Sequence, residues 1–176
     1  MLVAIGEYPP AAHQQDPLAA LGRELEVVEA YLDIEGARFE QRLRVTIDVP
    51  PRIRNIRLPP LVLQPIVENA VKHGIAQKQI GGEVAIRARV DRISEDNRQL
   101  SLVVEDTGAG TTSEALQQGR STGVGLRNVQ RRLECHYGDA ASLSIRTTLG
   151  EGTLVEIRMP VVVKVTDERD VHQVAM

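Results

Sequence analysis

Asn69, Lys72 and His73 stand at i, i+3 and i+4, a spacing that a helix turns to one side. An amide oxygen from Asn69 suits a hard cation such as Mg²⁺, which keeps phosphate and water oxygens for its other positions, while Lys72 offers a point charge to phosphate. The plainer reading of the trio is an exposed polar helix face. Asp106 closes the apolar run LSLVVED and is followed by Thr107, Gly108, Ala109 and Gly110. A carboxylate at a strand end can accept the exocyclic N–H of a base such as adenine, and a charge-assisted bond is stronger than a neutral one. Gly108 and Gly110 let backbone approach a ligand where a side chain would collide; the plainer reading here is an ordinary Asp-Thr-Gly turn. Gly123 and Gly125 open a helix whose first-turn N–H groups can face phosphate, with Arg127 within reach. This is not the dinucleotide fingerprint, because the third glycine would fall at Asn128, and no G-K-[ST] follows for a P-loop.

Four segments collect these residues: VENAVKHG at 67–74, DTGAG at 106–110, TGVGL at 122–126 and GEGT at 150–153. Each is weak alone. In this order and at these separations they resemble the ATP-binding boxes of the family that joins histidine kinases, DNA gyrase B, Hsp90 and MutL. LQPIVENAVKHG, the approach ELEVVEAYLDIEGARFEQRL and the motif GVGLRNVQRRL look like LytS-like sensor kinases in particular, and the resemblance covers about residues 18–160. It implies the Bergerat fold, an α/β two-layer sandwich with a mixed β-sheet and helices on one face, and ATP and Mg²⁺ as cofactors. By the same resemblance Asn69 holds the metal and serves catalysis together with Lys72. His73, Asp106, Gly108, Gly110, Gly123, Val124, Gly125, Leu126, Arg127 and Thr153 complete the implied ATP site, the Thr153 hydroxyl supporting Asp106 or a bound water. The implied function is the catalytic domain of a two-component sensor histidine kinase. It would present ATP·Mg²⁺ to a histidine on a dimerisation helix, from which the phosphate passes to a response regulator.

Two departures qualify the resemblance. Gyrase-like ATPases carry a glutamate general base one turn before the metal asparagine, and here that position is Pro65. Glu68 lies well round the helix from Asn69 and is a poor substitute. Phosphoryl transfer, which mainly has to position ATP and its metal, fits better than hydrolysis. LytS-like kinases also carry an acceptor histidine in a Pro-His-Phe context, whereas the early histidine here, His13, lies in AAHQQDP. His13, His136 and His172 read as solvated, so the acceptor is expected outside this chain, which alone should not label itself. Three rival readings are an anti-sigma-factor type serine kinase of the same fold, a pseudokinase module that binds a partner without nucleotide, and an aspartic protease suggested by LVVEDTGAG. The protease needs a second glycine turn, for which GLRN is a poor match.

The elements that must carry these residues follow from periodicity. Residues 1–17, with Pro9, Pro10 and Pro17, read as an irregular lead-in. Leu18, Leu21, Leu25, Val28 and Leu32 alternate steps of three and four, predicting a helix over 18–38 with Glu24, Glu26 and Glu29 outside the seam. That helix either packs on its own domain or is the remnant of a dimerisation hairpin. RVTIDV before Pro50-Pro51 reads as a strand. Leu58–Ile75 reads as a helix with an apolar face through Leu61, Ile66, Ala70 and Val71, stopped by Gly74; Pro65 requires that it begin late or kink. EVAIRARV and LSLVVED form a hairpin, and 107–122 a flexible loop, with 110–123 as a lid over the nucleotide. Val124–Leu133 reads as a helix, and SLSIRTT and GTLVEIRMP as a closing strand pair. The ATP-binding domain thus spans 39–160, and 161–176 is a tail.

Bulk properties agree with one globular domain. Hydrophobic residues make up 42% and charged residues 26% of 176. A net charge of -3, 2% aromatics and no Trp argue against a nucleic-acid partner. The single cysteine cannot form an internal disulfide, which fits a reducing cytoplasm. No segment approaches the roughly 18 to 20 apolar residues that cross a bilayer. Any inner-membrane anchor or sensing region of the intact protein is therefore expected in segments beyond this chain, which reads as a fragment; a homodimer is one reading for the intact protein.

Overall fold

The computed structural model describes residues 18–94, 97–112, 114–115 and 124–161. Alternating apolar residues build five strands: β2 (Leu43–Asp48), β4 (Gly82–Arg92), β5 (Arg98–Asp106), β6 (Ser142–Thr148) and β7 (Gly152–Val161). They form one mixed sheet in the order β2-β4-β5-β7-β6, in which β2 runs parallel to β4 and the other pairs are antiparallel. A second, two-stranded pair joins β1 (Ala19–Ala20) to β3 (Arg57–Leu58). The strand boundaries differ by a residue or two from those read off the pattern, since strand ends are set by partners rather than by periodicity.

One face of the sheet is apolar. Leu100, Leu102 and Val104 of β5 lie beside Met159, Ile157 and Val155 of β7, and all six are buried. Among the described residues, three helices cover this face: α1 (Leu21–Phe39), α2 (Leu63–Asn69) and α3 (Val124–Tyr137). The opposite face carries polar and charged side chains, with ion pairs such as Arg87–Glu105 at 2.7 Å and Arg158–Glu156 at 2.9 Å. This alternation is what a sheet with one solvated face requires. The fold is the expected two-layer α/β sandwich with helices on one face.

Helix α1 begins at Leu21 rather than Leu18, because Ala19–Ala20 pair with Arg57–Leu58. Leu21, Leu25, Val28 and Leu32 are buried within the domain core. Glu24, read from the sequence as lying outside this seam, is only 8% exposed, because its carboxylate faces the start of α2. Glu26 stays outside, exposed and paired with Arg23.

The helix expected over Leu58–Ile75 is shorter and less regular. It starts at Leu63, which puts Pro65 in the first turn, where its missing N–H costs nothing. Leu61 precedes it with φ 58° and is 47% exposed, so it takes no part in the predicted apolar face. After Asn69 the chain widens into a π-type turn over Ala70–Gly74 and then tightens over Ile75–Gln77. Gly74 therefore does not stop the helix; its φ is −91° and the helical path continues through it. Wide turns of this kind cluster at functional sites.

Candidate functional site

Where α2 and α3 splay from the sheet, a cleft of about 250 Å³ opens toward the apolar face. Ile66 of α2, Leu126 of α3 and Val104, Val155 and Ile145 of the sheet form its apolar walls. Asn69, His73, Asp106, Thr147 and Thr153 supply its polar groups. A few polar groups converging in an apolar pocket are the usual form of a small-molecule site.

Asp106 lies at the floor of the cleft, at the end of β5, and is 5% exposed. Burial pushes its carboxyl up to about 6, against the backbone N–H groups of Gly108 and Thr153, which pull it down. Oδ1 accepts the Gly108 N–H at 2.8 Å. The residues around it are shaped by close backbone contact. A Cβ at Gly74 would fall 2.4 Å from Asp106 Oδ1, and one at Gly108 would fall 2.2 Å from the Gly74 carbonyl carbon. The Ala109 N–H donates to the Gly74 carbonyl at 3.1 Å, so the α2 segment and the loop after β5 are joined at the carboxylate. Gly110 lines the cleft with φ 58°, a conformation that glycine adopts without strain.

Asn69 and His73 both line the cleft, from the last residue of α2 and from the widened turn. The Asn69 amide nitrogen is buried without a hydrogen-bond partner; being a donor, it leaves the amide oxygen as the end of the group suited to a cation. Lys72, expected beside them, is placed differently. Its Nζ is 2.6 Å from Glu68 Oε2, and it is not among the cleft residues. The wide turn shifts the register after Asn69, and Glu68 takes the ammonium from one turn earlier, which lowers the Glu68 pKa. Glu68 also accepts from Gln64 at 2.8 Å, so it is engaged away from Asn69.

Helix α3 enters the site by its first turn. Leu126 is buried in the cleft wall, and a Cβ at Gly125 would lie 3.3 Å from Pro65 and 3.9 Å from the Asn69 amide nitrogen. Val124 and Arg127 are exposed. Gly123, and the expected lid from 116 onward, lie outside the described residues.

Thr153 stands opposite Asp106 across β5 and β7, and Thr147 stands opposite Thr153 across β6 and β7. The two hydroxyls are 3.1 Å apart, and Thr147 Oγ1 also accepts the Thr111 N–H at 2.9 Å and lies 3.1 Å from the Gly152 carbonyl. The Thr153 hydroxyl thus engages Thr147. Sequence reasoning missed Thr147, although the alternation of SLSIRTT puts it on the apolar face with Leu143 and Ile145.

The donor set fits Mg²⁺ held chiefly by a nucleotide. Among the described residues no group of three or more His, Cys, Asp or Glu side chains could hold a metal, and the cleft offers single oxygen donors, the Asn69 amide oxygen among them. Mg²⁺ commonly takes one or two protein oxygens and completes its shell with phosphate and water.

Residues 55–163 match the model of the histidine kinase-, DNA gyrase B-, and HSP90-like ATPase family, and the chain belongs to that family. The aspartic protease reading falls with this match. Among its relatives are the sensor histidine kinase BtsS of Escherichia coli K12, 39% identical over 140 residues, and the sensor protein LytS of Staphylococcus haemolyticus, 34% identical over 148 residues. Each alignment covers 80% of this chain but only 23% and 24% of the relative, so the chain spans about a quarter of their length. The likeness to LytS-like sensor kinases is thus shown in sequence. In fold, the chain is similar to the histidine kinase domain of the Erythrobacter litoralis EL346 blue-light activated histidine kinase. The TM-score is 0.61 at 23% identity, covering 86% of this chain and 65% of that one.

Proposed function

We propose that this domain is the catalytic part of a sensor histidine kinase, binding ATP·Mg²⁺ and presenting the γ-phosphate to a histidine on another segment of the intact protein. The observation that carries this is one cleft lined by a buried carboxylate, Asp106, by the Asn69 amide and by apolar side chains. The ionised Asp106 would accept the exocyclic N–H of adenine while Ile66, Leu126, Val104 and Val155 enclose the base and exclude water. The Thr147–Thr153 hydroxyl pair closes the same end with groups that can both donate and accept.

Asn69 would hold the metal, and His73 and the first-turn N–H groups of α3, with Val124, Gly125 and Arg127 on it, would face the phosphates. Bound Mg²⁺ supplies charge neutralisation at the phosphoryl oxygens. Lys72 would reach phosphate only after exchanging its Glu68 partner. Pro65 stands where a general base for water would be needed, and Glu68 is engaged with Gln64 and Lys72, so the residues favour transfer over hydrolysis.

The acceptor would be a histidine on a dimerisation helix, with a response regulator as the onward partner. Among the described residues no helix is long and apolar enough to cross a membrane. Membrane anchoring of the intact kinase, with this domain on the cytoplasmic side, would therefore depend on other segments. The metal assignment is tested by titrating ATP into wild type and Asn69→Ala with Mg²⁺ and with EDTA. Affinity should fall at least about tenfold in Mg²⁺ and stay within about twofold in EDTA; equal losses in both would refute it.

A further inference from the structure

Helix α2 has no capping group of its own. Its N-terminal residues Leu61, Val62 and Leu63 are apolar, and the cap position makes no side-chain hydrogen bond to the helix. The orphan donors are taken instead by one carboxylate from α1, some forty positions earlier in the chain. Glu24 Oε1 accepts the Leu61 N–H at 2.7 Å, and Oε2 accepts those of Val62 and Leu63, each at 3.0 Å. Three charge-assisted bonds on one buried side chain hold the segment in place. Leu61 keeps a positive φ of 58°, a conformation that is strained for a residue other than glycine and persists only where its surroundings impose it.

The same segment is held from the other side by α3, whose Arg132 Nη1 donates to the Pro60 carbonyl at 3.2 Å. Two turns further on, α2 delivers Asn69 to the cleft, and Gly125 of α3 packs against Pro65 beside it. The start of α2 is therefore gripped by α1 and α3, while its end carries the amide assigned to the metal. The helix is only seven residues long, so a shift at Leu63 has little length in which to be absorbed before Asn69.

We propose that Glu24 is a positioning residue for the metal-bearing nucleotide: by capping α2 from α1 it sets the place of Asn69 in the cleft. This rests on the ATP·Mg²⁺ reading above. It also makes α1 a mechanical input to the site, since any displacement of α1 that withdraws Glu24 frees the segment that positions the metal ligand. Glu26, exposed on the same helix, has no such reach and serves as an internal control.

The test is nucleotide titration of Glu24→Gln, which keeps the side-chain size, beside wild type and Glu26→Gln, with thermal unfolding recorded for each. For Glu24→Gln the gain in ATP affinity on adding Mg²⁺ should shrink by about tenfold, affinity in EDTA should change by less than about twofold, and Glu26→Gln should match wild type. Unchanged affinities in both conditions would reduce Glu24 to a structural cap, and equal losses in both would deny that it acts through Asn69; either result overturns the inference. A wild-type protein that binds no ATP would instead remove the functional reading on which it stands. Amide exchange in the wild-type protein needs no variant. The N–H groups of Leu61, Val62 and Leu63 should exchange more slowly with ATP·Mg²⁺ than with ATP in EDTA, and equal rates would contradict the proposal.

Discussion

Asp106 is the residue on which the proposed recognition of the base turns, and its environment makes its behaviour measurable. Burial holds its carboxyl at about 6, above the roughly 3.9 of a free aspartate. A raised folded-state value means that the folded protein binds the proton more tightly than the unfolded chain. The resulting stabilisation, on the order of 2 to 3 kcal/mol, is present below about pH 4 and lost as pH rises through about 6. Accepting an N–H from adenine favours the ionised form, so ATP binding should displace that proton. Calorimetry in two buffers of different ionisation enthalpy should show release of about half a proton near pH 6 and almost none at pH 8. Asp106→Asn should abolish the release. Proton release that is unchanged in the variant would mean that another group titrates on binding.

Helix α2 and its widened turn show how little of the positioning could be read from spacing. The boxes around Asn69, Asp106 and Gly125 were legible because glycines and polar residues interrupt apolar periodicity at those points. The helix itself was not, since its real start is set by Glu24, a partner some forty residues away that no local pattern marks. Gly74 looked like a stop for the same reason: its lack of a side chain matters to Asp106 and Gly108 across the cleft, not to its own helix. Its φ of −91° is open to alanine, which by helix propensity alone would gain up to about 1 kcal/mol. The clash should reverse that sign. Gly74→Ala is expected to cost about 1 to 3 kcal/mol in thermal or denaturant unfolding and to weaken ATP binding, as overpacking does. A variant as stable and as tight-binding as wild type would show that the Gly74–Asp106 approach is not required.

The assembled domain divides its labour between two faces. Leu21, Leu25, Val28 and Leu32 were visible as a seam, but not where it packs, because a 3.5-residue period serves a partner helix and a home sheet equally well; here it is buried in the domain core. The layer order was legible from the sequence of apolar runs, whereas the Thr147–Thr153 contact depends on strand register, which is fixed only once β7 pairs with both β5 and β6. Between the layers lies the cleft, and the proposed function requires it to distinguish the base by its exocyclic amine. ATP and inosine triphosphate differ at that group, so the two nucleotides should be titrated into wild type and Asp106→Asn in the presence of Mg²⁺. Wild type should favour ATP by about 10- to 150-fold, the worth of a hydrogen bond to a charged group, and the variant should lose most of that preference. If wild type binds both nucleotides equally, or the variant keeps the full preference for ATP, Asp106 does not read the base.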